Sequence, residues 1–201
     1  MTTALIVIDV QESFRQHPVW RLTSNPDIVR KVSRLVEHAR ANGDPVIWVT
    51  HAEPGSNTLF DPALGHVRLI DGLHQRADEP MITKRAHNAF TTTNLQLLLT
   101  TKGIRDLTIC GIRTEQCCET TARLAADLGY RVTFVTDATA TTPIAHRDAP
   151  AHLTPEELMA DPRTLQVSEI LARTEYALAG RFATIRTVDE LTGSVAAVGV
   201  G

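Results

Sequence analysis

Apolar positions along the chain fall into two alternating patterns: short β-branched runs and longer stripes of helical period. Ala4 to Val10 is a nearly unbroken apolar run bounded by polar residues, as expected of a strand buried on both faces of a parallel sheet. Pro45 to Thr50, Asp106 to Cys110 and Arg131 to Thr136 repeat it, and Pro80 to Thr83 and Phe182 to Arg186 are shorter candidates. Between them, Asn25 to Ala41 puts Ile28, Val32, Leu35, Val36 and Ala39 on one stripe, and Gly43 stops it. Thr93 to Lys102 and Glu115 to Leu128 follow the same scheme and end at Gly103 and Gly129. This alternation predicts right-handed βαβ units and a doubly wound α/β domain. Its six-stranded, mostly parallel sheet is flanked by helices in a Rossmann-like arrangement.

Two connections break the rhythm. His51 to Ala77 is long and contains Gly and Pro; Ala140 to Pro162 is another, with Thr154, Pro155 and Glu157 spaced as cap, first helical position and capping-box acid of a short helix. Long loops in a compact domain are usually lids or binding loops. With no repeat or linker in view, residues 1–192 are expected to form one domain and 193–201, small and uncharged, a flexible tail. An apolar helix around Leu165 to Leu178 is a candidate surface for packing on a neighbouring copy.

Charge narrows the function. The 20 Lys and Arg against 23 Asp and Glu include no long run of either sign, so nucleic acid and anionic membrane are not expected partners, and a small molecule is. The three cysteines, Cys110, Cys117 and Cys118, sit within nine positions, an odd and crowded set for structural disulfides, which implies a reducing compartment. The N-terminal apolar run has no cationic segment ahead of it and is too short for a signal core or a membrane span, so a cytoplasmic location is expected.

Ligands of open α/β sheets bind beyond the carboxyl ends of the strands, which singles out the residues just after each apolar run. Asp9 ends the first strand, where burial would raise its pKa and make it a proton acceptor. His51 follows the second and Lys84 the third. Cys117 lies near the start of a helix after the fourth, where the positive helix end is expected to lower a thiol's pKa toward thiolate. Cys118 shares a helical stripe with Ala122 and Ala125 and is assigned to packing.

Three spaced blocks carry a resemblance to the isochorismatase-like cysteine hydrolases, over about residues 4 to 191. They are Ile8-Asp9-Val10-Gln11 followed by Phe14; Lys84-Arg85-Ala86-His87-Asn88-Ala89-Phe90; and the run from Gly111 through Cys117 to Ala125. The resemblance implies a catalytic triad of Asp9, Lys84 and Cys117 that cleaves a C–N bond of a small amide, carbamoyl or ureido substrate through a thioester. It also implies a cis peptide before Arg113, an oxyanion hole made by the backbone N–H groups of Arg113 and Cys117, and a homodimer or homotetramer.

The chain departs from the family's pattern in informative places. Asn88 stands where the family's block has serine, and Arg113 occupies a loop position that is often small, where it either narrows the pocket, binds a substrate carboxylate, or points to solvent or a neighbouring subunit. Nicotinamidases of the family hold a divalent ion with an Asp-x-His pair; here that position reads Val49-Thr50-His51, so no metal and no cofactor are expected. Phe14, Trp20, His51 and Asn88 are the pocket candidates, with Phe60 a further loop aromatic. Two other readings stand beside the amidohydrolase: vinyl-ether hydrolysis of isochorismate, which family members without an intact cysteine perform, and a non-catalytic or redox-sensing member using Cys117 and Cys118.

Overall fold

The computed structural model describes residues 3–193. The six predicted strands are all present: β1 Thr3–Ile8, β2 Val46–His51, β3 Met81–Lys84, β4 Asp106–Ile112, β5 Arg131–Ala140 and β6 Thr184–Arg186. They form one sheet in the order β3-β2-β1-β4-β5-β6, and every pairing is parallel, not merely most. This is the doubly wound order, with its reversal point between β1 and β4.

The helices are α1 Glu12–Arg15, α2 Ile28–Ala41, α3 Leu95–Thr101, α4 Glu119–Asp127, α5 Pro155–Ala160, α6 Val167–Leu178 and α7 Val188–Thr192. One face of β1 carries Ala4, Ile6 and Ile8 into a core with α3, α4 and Leu178 of α6; the other carries Leu5 and Val7 against α2 and Val188 of α7. All five residues of the α2 stripe are buried. The helix begins three residues later than its pattern because the Asn25 amide donates to the carbonyls of Asp137 and Thr139, and Pro26 follows. Thr154 and Glu157 form the expected capping box of α5. Apart from Gly193, the expected tail 193–201 lies outside the described residues.

The reversal point depends on one glycine. Gly111, paired with Ile8 across β1 and β4, has φ 135°, and a Cβ there would lie 1.9 Å from the Ile8 carbonyl oxygen. Only a residue without a side chain lets the two strand ends approach this closely. We expect Gly111→Ala to destabilise the fold by about 3 kcal/mol or more, combining overpacking with an unfavourable backbone region. Urea unfolding monitored by circular dichroism measures it, and a loss below 1 kcal/mol would contradict the close approach.

Candidate active site

Strand register alone brings the chemistry together. Ile8 pairs with Val49 on one side and with Gly111 on the other, while His51 pairs with Lys84. The residues that leave the sheet beyond these pairs therefore converge at one edge. Asp9 turns sharply off β1 with φ 53°, its N–H donating to the Val49 carbonyl at 2.8 Å and its own carbonyl accepting from Gln11 at 2.8 Å. This turn aims a carboxylate across the carboxyl ends of the strands.

Asp9 Oδ2 lies 2.7 Å from Lys84 Nζ, and both side chains are fully buried. The same ammonium lies 3.3 Å from Cys117 Sγ and 3.4 Å from His51 Nδ1, and donates to the Ala86 carbonyl at 3.1 Å. Asp9, His51 and Cys117, distant in sequence, thus meet at one buried cation.

Supporting hydrogen bonds hold each member. The Gln11 side chain accepts from the His51 N–H at 2.7 Å and donates to the His51 carbonyl at 3.0 Å, clamping the end of β2. After β4 the chain passes through a cis Ile112–Arg113 peptide into a single π-helical turn, Thr114–Cys118, in which the Cys118 N–H reaches back five residues to the Arg113 carbonyl at 3.1 Å. The predicted helix over 115–128 is therefore a widened turn followed by α4, a form frequent at functional sites. Thr121 of α4 donates to the Cys117 carbonyl at 2.6 Å and accepts from the Ala89 N–H at 3.1 Å, tying the cysteine turn to the loop that follows Lys84. Gln11 and Thr121 stood in the sequence blocks without a role; their function exists only once distant segments meet.

The protonation states follow from burial and from one another. Burial pushes the Asp9 carboxyl above its usual range, against the pull of Lys84. For Lys84, burial acts downward, but its contacts with Asp9 and the Cys117 sulfur outweigh it and hold the ammonium. The Cys117 thiol is pushed up to about 12, by burial first and then by the neighbouring carboxylate, with Lys84 opposing. This corrects the expectation of a thiolate favoured by a helix end: desolvation and a nearby anion dominate the weaker dipole field. The site thus brings a thiol, a carboxyl of raised basicity and an ammonium into contact.

A cleft of about 320 Å³ opens onto these groups, walled by Phe14, His51, Glu53, Phe60 and Arg113, with Arg85, His87 and Gln116 also lining it. Phe60 meets Phe14 edge-on at 5.0 Å and His51 at 5.4 Å, so aromatic edges shape one wall. His51 Nε2 lies 3.2 Å from Glu53 Oε1, so both ring nitrogens have protein partners. Among the described residues no group of three or more His, Cys, Asp or Glu side chains is placed to hold a metal ion.

Two pocket candidates sit elsewhere. Trp20 backs onto Phe14 at 6.5 Å and lines a separate groove with Arg15 and Ile70, because the turn after α1 directs it away from the strand ends. The Asn88 side chain accepts from the Phe90 and Thr91 N–H groups at 2.9 and 2.8 Å, forming a turn instead of lining the cleft. Cys118 is fully buried beside Ala122 and Ala125, as its stripe predicted.

The isochorismatase domain, as a family profile, matches residues 3–161. The chain belongs to the isochorismatase family. It is 30% identical to the uncharacterized isochorismatase family protein YddQ of Bacillus subtilis, over 94% of this chain and 98% of that one. It is 38% identical to a probable inactive nicotinamidase of Arabidopsis thaliana, over 72% and 84% of the two chains, and 32% identical to Nicotinamidase 3 of the same plant, over 69% and 73%. An isochorismatase-family crystal structure from Chromobacterium violaceum superposes with a TM-score of 0.83 at 23% identity, over 96% and 92% of the two chains, which shows the shared fold. The chain is thus an isochorismatase-family hydrolase with the expected six-stranded sheet.

Within this hydrolase the Lys84 cation compensates a buried anion. Lys84→Met should cost about 3–5 kcal/mol, since it leaves Asp9 unpaired in the interior. Adding Asp9→Asn should restore a good part of that loss, which chemical denaturation of both variants would read. Equal stability of the single and double variants would show that the charge pair is not what the site depends on.

Proposed function

We propose that this isochorismatase-family hydrolase is a cysteine amidohydrolase that cleaves the C–N bond of a small amide, carbamoyl or ureido compound through a thioester on Cys117. The observation that carries the reading is the buried Lys84 ammonium, 2.7 Å from Asp9 and 3.3 Å from Cys117. The names of the relatives do not decide activity, because a nicotinamidase and a probable inactive one match at comparable identity. An intact nucleophile with an acceptor and a cation beside it favours an active enzyme.

In this reading Cys117 Sγ attacks the substrate carbonyl while its proton passes to Asp9, whose raised basicity suits it to the task. The new C–S bond forms, the C–N bond breaks, and Asp9 returns the proton to the departing nitrogen. Water then attacks the thioester, giving one proton to Asp9 and releasing the acid, and the proton returns to sulfur. Lys84 stays protonated throughout and holds the carboxylate and sulfur in register. The backbone N–H groups of Arg113 and Cys117 are assigned to the developing oxyanion. Phe14 and His51 take the wall positions of the pocket, with Trp20 packed behind Phe14.

Screening small amides for ammonia release should find a substrate, and Cys117→Ala should remain folded and lose at least about 1,000-fold in rate. Acid quenching of the wild-type reaction should show an acyl mass on Cys117; undiminished turnover without the thiol would overturn the reading. Because Asp9 acts only when ionised and its pKa is raised, kcat/KM should climb with pH through a limb above the ordinary carboxylate range. A pH–rate profile with its acid limb at or below that range would assign the proton acceptor elsewhere.

A further inference from the structure

The proposed chemistry uses the backbone of Arg113 and leaves its side chain unexplained. Arg113 lines the cleft with Asp9 and Cys117 and is partly buried. Most arginines of this chain rest against carboxylates, as Arg40 does on Glu79, Arg123 on Glu119 and Arg163 on Asp161. The Arg113 guanidinium has neither a hydrogen bond nor an ion pair among the described residues; burial draws its pKa down, and Glu115 acts on it only through its charge. A guanidinium removed from water without a partner is costly, and its five fixed N–H donors match a carboxylate in a two-pronged contact.

Two acids that line the same cleft are already engaged. Asp9 is held by Lys84; Glu53 is shared between His51 at 3.2 Å and the Thr58 hydroxyl at 2.8 Å. The Glu115 carboxylate is buried without a hydrogen bond of its own, so it offsets charge without occupying the guanidinium. At the mouth, exposed Arg85 and His87 line the same cleft and add positive potential. The cleft thus offers an anion-binding fork four residues from the nucleophile, in a space of about 320 Å³, at the small end of ligand pockets.

We propose that Arg113 binds a carboxylate of the substrate, so that the preferred substrates are small anionic amides, typified by dicarboxylic monoamides, whose acid group lies a few bonds from the scissile carbonyl. This assignment rests on the amidohydrolase reading for its reaction but not for its binding. The test therefore uses binding to the Cys117→Ala protein, which does not turn over. Malonamate, succinamate and glutaramate are titrated calorimetrically, each beside its neutral diamide. At least one acid should bind about 10- to 100-fold more tightly than its diamide, the range of a charge-assisted contact.

Adding Arg113→Gln should abolish that preference, and Arg113→Lys, which keeps the charge but not the fork, should retain part of it. Equal binding of acid and diamide, binding of neither, or a preference that survives Arg113→Gln would each overturn the assignment. A preference that depends on Arg113, together with no hydrolysis of any of these compounds by the wild-type protein, would support the carboxylate site and count against the amide chemistry alone.

Discussion

A lysine side chain with no exposure to solvent is tolerable only when anions or strong acceptors surround it, and Lys84 is such a residue. Its contacts with Asp9, Cys117, His51 and the Ala86 carbonyl join the ends of β1, β2 and β3 and the turn after β4. Removing any one partner changes the electrostatic balance for the rest. The raised carboxyl, the retained ammonium and the elevated thiol are three aspects of one shared desolvated charge, and none belongs to a single residue.

That coupling explains why the fold was more legible in sequence than the state of the site. Apolar runs such as Ala4 to Val10 and the stripe on α2 are local patterns, and each appeared close to where it was expected. Asp9, Lys84 and Cys117 could be named because each follows a strand. The thiol's protonation could not, since the distance from Cys117 to Asp9 depends on the register of β1 against β4 and on the π turn. A helix-end argument sees only the local dipole and misses the desolvation that dominates here.

The same reasoning separates the residues that were placed from those that were not. Phe14 and His51 flank strand ends directly and reach the cleft, while Trp20 lies beyond a further turn and faces another groove. Asn88 had the right neighbourhood, but its short amide is consumed by the N–H groups of its own turn. Gln11 and Thr121 carry no sequence signal of their own beyond membership of a block, because they bond across 40 and 32 positions respectively. Glu53 and Gln116 also line the cleft.

The bare position at Gly111 has a consequence for how such a site can diversify. Much of the cleft rim, such as Glu53, Phe60, Arg85 and His87, lies in the segments that follow the strands, where side chains can be exchanged with little effect on the sheet beneath. The contact between Gly111 and the Ile8 carbonyl is backbone against backbone, with no volume to trade. Remodelling of this pocket for a new amide therefore has many degrees of freedom around its rim and none at its floor, which makes the reacting centre a fixed hub on which specificity can be rewritten.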